Sequence, residues 1–109
     1  MATTYKVLGQ VNPAATTATT AYTVPSATET VISTITAANL GSAPATYRIA
    51  VRPNGATLEN KHYVVYDANI APQDTETLTL GMTMDATDVV TVLASTATMA
   101  FNLFGSEIA

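Results

Sequence analysis

Apolar and hydroxylated positions alternate along most of the chain, as in Thr-Val-Ile-Ser-Thr-Ile-Thr at 30–36, Thr-Glu-Thr-Leu-Thr-Leu at 75–80 and Asp-Val-Val-Thr-Val-Leu at 88–93. Successive side chains of a strand point to opposite faces, so a period of two describes sheets with one buried face and one hydroxyl-bearing face. No segment holds a 3.6-residue apolar period through three turns, and β-branched residues dominate, so helix is expected to be minor. The pattern predicts strands over 5–11, 21–24, 29–38, 45–51, 62–66, 75–80, 88–95 and 98–104.

The breaks between these runs carry turn chemistry. Asn12-Pro13 ends the first run and opens a low-complexity Ala/Thr connector at 14–20, read as a surface loop. Arg52-Pro53-Asn54-Gly55 is the strongest turn signal, because Pro presets φ and Asn-Gly accepts left-handed backbone. The stretch from there to Lys61 is longer than a tight hairpin, which predicts a wide loop or a crossing between sheets. Ala71-Pro72-Gln73-Asp74 is a second turn, Gly81 to Asp88 reads as a loop, and Gly105 marks where the alternation stops. About eight strands at spacings of roughly 8–12 residues indicate a sandwich or barrel. The expected fold is all-β, one antiparallel β-sandwich over residues 1–109, with jelly-roll connectivity as a candidate.

Composition adds an unusual surface. Of 109 residues, 48% are hydrophobic but only 11% are charged, against about 25% in an ordinary soluble domain. Threonine, about a fifth of the chain, supplies the missing polarity with a branched side chain that suits a pleated sheet. Such a surface packs against another copy without desolvating ions. Assembly is therefore expected, with copies of the chain itself as partners and a trimer among the candidate states. A net charge of −4 and only four basic residues, Lys6, Arg48, Arg52 and Lys61, argue against nucleic acid as a partner. No run approaches a membrane-spanning length, and the N-terminal residues lack the basic and apolar regions of a signal peptide, so synthesis in a cytoplasm with no membrane partner is expected. Without cysteine there are no disulfides and no thiolate metal sites.

Reactive chemistry is sparse. His62 is the lone histidine and reads as structural, Gly-x-Ser-x-Gly is absent, and the five glycines never cluster into a phosphate loop. Asp85 and Asp88 share one loop, but two carboxylates fall short of a calcium cage, so turn capping is the expected role. No catalytic residue, cofactor or metal is expected, and the chain is read as a non-enzyme. Tyr5, Tyr22, Tyr47, Tyr63 and Tyr66 suit either a carbohydrate platform or core and interface positions, the second being the simpler reading. In the last run, Phe101 and Leu103 share one face while Ala100, Asn102 and Phe104 share the other. A strand apolar on both sides is expected to be covered by a neighbour.

The opening Met-Ala-Thr-Thr-Tyr-Lys-Val-Leu-Gly-Gln with Asn12-Pro13, the central Arg48-Ile49-Ala50-Val51-Arg52-Pro53, the stretches Asn60-Lys61-His62-Tyr63 and Tyr66-Asp67, and the ending Phe101 to Ile108 together resemble small virion proteins of tailed bacteriophages, in particular those of aquatic and cyanobacterial hosts. The resemblance covers nearly the whole chain and includes no catalytic motif. It implies a non-enzymatic component of the virion: a capsid decoration or cement protein whose partner is the major capsid protein or another virion protein. The alternative it implies is a neck, tail or fibre subunit; for such a subunit loops 54–61 and 81–88 are the segments expected to meet a host receptor or glycan. Contacts are expected from Tyr5 and Val7 near the start, and from Phe101, Phe104 and Ile108 near the end.

Overall fold

A computed structural model describes residues 2–109 as nine strands: β1 (Thr3–Val11), β2 (Thr19–Thr23), β3 (Glu29–Asn39), β4 (Ala45–Arg52), β5 (Tyr63–Ile70), β6 (Thr75–Leu78), β7 (Met82–Met84), β8 (Val89–Ala94) and β9 (Met99–Ile108). All pairings are antiparallel. Sheet I runs β1-β9-β3-β6, with β7 also on β3, and sheet II runs β2-β8-β4-β5. The order has a simple origin. β4 pairs with β5, β3 with β6 and β7, β2 with β8 and β1 with β9, so the chain is one long antiparallel ribbon doubled back between β4 and β5. Rolling that ribbon brings β3 against β9 and β4 against β8. The result is the jelly-roll connectivity that the sequence offered as a candidate.

Alternation builds the core. Ile32, Ile35 and Ala37 of β3 and Met99, Phe101 and Leu103 of β9 face Tyr47 and Ile49 of β4 and Val90, Val92 and Ala94 of β8, all buried. Each large apolar side chain taken out of water contributes about 1.5–3 kcal/mol. Tyr47 from sheet II meets Phe101 from sheet I edge to face, with centroids 5.8 Å apart, and joins the layers at their centre.

Several boundaries differ from expectation for local reasons. Nine strands replace eight because the expected loop at 81–88 contains β7. One edge of sheet I is interrupted at Gly81 (φ +60), opposite the place where Ser33 bulges out of the β3–β9 ladder. Gly105 does not end the last strand, which runs on to Ile108. A Cβ at Gly105 would lie 2.0 Å from the Val31 carbonyl oxygen, so glycine is what lets the bulged β3 approach there. β5 continues past Tyr66 because Asp67 takes a left-handed conformation (φ 51) and forms a bulge. The segment 53–62 is a wide loop, not a crossing, since β4 and β5 are neighbours in one sheet. Asn54 and Gly55 adopt the positive φ that their turn signal predicted.

Candidate functional site

The outward face of sheet I is bare and almost free of charge. Alternation turns Tyr5 and Val7 of β1, Phe104, Ser106 and Ile108 of β9, and Val31 of β3 away from the core. Tyr5 is opposite Ser106 and Val7 opposite Phe104, and with Val31 and Ser33 they line a shallow groove of about 510 Å³. Tyr5 is 82% exposed, Val7 49% and Phe104 36%. Glu29 stands at one corner of this face. Lys6 sits at the groove's rim with its ammonium held 2.7 Å from Glu107. Toward the opposite end the face turns polar and uncharged, where Gln10 donates to Asn102 across β1 and β9.

Of the contact residues expected from sequence, Tyr5, Val7 and Phe104 meet in this groove, and Ile108 lies half-buried beyond it, opposite Thr3 and Glu29. Phe101 does not join them. It is fully buried in the core, because β9 turns the Phe101–Leu103 face inward against Ile35 and Tyr47.

Two tyrosines tie the layers through carboxylates. Tyr22 of β2 donates to Glu107 Oε2 at 2.5 Å and lies 2.8 Å from the Thr30 hydroxyl, while Tyr47 of β4 donates to Glu76 Oε1 at 2.5 Å. Burial, then the bond to Glu107, pushes the Tyr22 hydroxyl up to about 12. Burial and Glu76 likewise raise Tyr47. Hydrogen bonds from Lys6 and Tyr22 hold Glu107 below the usual carboxylate range. These ties join residues far apart in the chain and left no sequence signal.

The outer face of sheet II is partly covered. Loop 53–62 folds over it: Arg52 donates to the Ala56 carbonyl at 2.9 Å and to the Thr91 hydroxyl at 3.1 Å, while Ala50, Thr91 and His62 are buried. His62 Nδ1 accepts the Glu59 N–H at 3.0 Å, a loop-closing role that fits the structural reading of this residue. Asp88 accepts the Asn54 and Asp85 N–H groups, one on each oxygen at 2.9 Å, so it caps the turn and links the two loops. Among the described residues no three His, Asp or Glu side chains converge as a metal would need. No helix among them is long and apolar enough to cross a membrane.

Beyond the loop, sheet II exposes an aromatic corner. Arg48 sits opposite the β5 bulge, its Nε 2.6 Å and one terminal nitrogen 3.2 Å from the two Asp67 oxygens. The Arg48 pairing lowers the Asp67 carboxyl below its ordinary range. The guanidinium lies 4.1 Å from the centroid of the Tyr66 ring, and Tyr63 meets Tyr66 at 82° with centroids 4.9 Å apart. Compared with family models, curated proteins and solved structures, the chain finds no match.

Proposed function

We propose that this chain is a non-enzymatic structural protein of a bacteriophage virion, a capsid decoration or cement protein that docks in many copies and stabilises the particle. The observation that carries the reading is the bare, charge-poor face of sheet I with Tyr5, Val7 and Phe104 in one groove. Covering that face desolvates almost no ions, and each large side chain buried there contributes about 1.5–3 kcal/mol. One such contact is weak. Repeated on a lattice, each further contact becomes effectively intramolecular, and the shell is held by many modest bonds. The sequence resemblance supplies the class of particle, and the major capsid protein is the partner it implies.

The test is cosedimentation of the purified protein with empty capsids that lack it, together with the heat resistance of those capsids. Binding that raises shell stability, and is lost in a folded Tyr5→Ser/Phe104→Ser variant, supports the reading. Undiminished binding by that variant, or no binding by the parent, overturns it. The second reading, a neck, tail or fibre subunit, is favoured by the aromatic corner on the opposite sheet. Immunogold labelling of assembled particles separates the two, marking the shell in the first case and the tail in the second.

A further inference from the structure

We infer that the outer face of sheet II holds a binding site for an uncharged saccharide, formed by Tyr63, Tyr66 and Asn60. These three residues line an open depression of about 460 Å³ beside loop 53–62. Tyr66 is 57% exposed. The Arg48 guanidinium occupies one side of its ring and is itself tethered to Asp67, so the ring is held in place before any ligand arrives while its remaining surface stays open. Tyr63 stands at right angles and forms the second wall.

The chemistry of the walls selects the ligand class. An aromatic face carries negative quadrupole charge and attracts the weakly positive C–H bonds of a sugar ring. The tyrosine hydroxyls and the Asn60 amide both donate and accept, as hydroxyl-rich ligands require. A small set of such groups on an apolar floor is the usual make-up of a small-ligand site. None of the three lining residues carries a charge. Arg48 and Asp67 satisfy each other, and Glu59 and Lys61 flank Asn60 with opposite signs. An anionic or cationic ligand therefore gains nothing over a neutral one. This inference does not depend on where in a particle the chain resides, because the groove of Tyr5 and Phe104 belongs to the other sheet.

Titration of the ¹⁵N-labelled full chain with lactose, maltotriose, cellotriose and diacetylchitobiose, with sialyllactose as the charged comparison, tests it by NMR. At least one neutral sugar is expected to move the signals of Asn60, Tyr63, Tyr66 and the Arg48 side chain, with a dissociation constant of about 1 mM. Tyr66→Ala should weaken that binding about tenfold or more, equivalent to roughly 1.4 kcal/mol. Tyr66→Phe, which keeps the ring, should stay within about threefold, and Asn60→Ala at its exposed turn should weaken binding without touching the fold. Tyr5→Ser should change nothing here. The inference is overturned if none of the four neutral sugars moves these signals, if Tyr66→Ala binds as the parent does, or if sialyllactose binds more than about tenfold tighter than lactose.

Discussion

Gly105 stands where a methyl group has no room, 2.0 Å from the Val31 carbonyl oxygen, and its ladder partner Ile32 cannot retreat because its side chain is locked in the core. Gly105→Ala is expected to destabilise the fold by about 2–4 kcal/mol, read from the midpoint of urea unfolding. Gly81 has open space around it and is not under the same constraint from packing. A different kind of residue sets the response to pH. Glu107 is held below the ordinary carboxylate value by Lys6 and Tyr22, so its contribution is present above about pH 4.3 and is lost as pH falls through the lowered folded value. Tyr22 acts at the alkaline end. Its raised folded value means a contribution intact below the ordinary tyrosine value and lost as pH climbs through about 12. Glu107→Gln should therefore shrink the acid loss of unfolding free energy, leaving the part due to Asp67, and Tyr22→Phe should shrink the alkaline loss, leaving the part due to Tyr47. Chemical denaturation across pH checks both signs.

Strand β9 shows how two similar residues can have opposite worth. Phe101 is in the core and Phe104 on the bare face, three positions and one change of parity apart. Phe101→Ala should cost about 3–5 kcal/mol, whereas Phe104→Ala, at a residue about a third exposed, should cost about 1–2 kcal/mol in the isolated protein, as measured by thermal or urea melts. Sequence alternation put the two on opposite faces, but with both faces apolar it did not say which turned inward. That was decided by Ile35, the register partner of Leu103, and by Tyr47 across the sandwich. Strands flanked by Pro and Asn-Gly turns were legible because the punctuation is local. β7 was not, since three residues are too few to show a period and it is recruited by the neighbouring β3. The groove on sheet I was half legible: Tyr5, Val7 and Phe104 were singled out, but their meeting depends on the pairing of β1 with β9. The aromatic corner was hidden by the Asp67 bulge, which sets Tyr66 and Asp67 together around Arg48. Tyr63 and Tyr66 stood among the five tyrosines the sequence offered for a carbohydrate platform or for core and interface positions, but their meeting with Arg48 could not be read from it.

At the scale of the molecule, the two sheets differ in what they leave open. Sheet II spends part of its outer surface on loop 53–62, which buries His62 and Thr91, whereas sheet I keeps hydroxyls, amides and a few large apolar groups in view. A charge-poor exterior that would be a liability for a lone domain suits one that is covered by neighbours. The nested pairing of the strands also has a kinetic consequence. The β4–β5 pair is the innermost bracket and the β1–β9 pair the outermost, so the earliest-made strand waits for the last. A chain still emerging from the ribosome can close the central hairpin, yet β1 has no edge to join until β9 has been translated, and β3 lacks the longest of its ladders. Zippering from the middle outward is the economical route, and during that delay β1 is unpaired and the edge of β3 that will receive β9 is open to whatever else is nearby. A slower arrival of β9 is therefore expected to leave more molecules caught by their neighbours half-made.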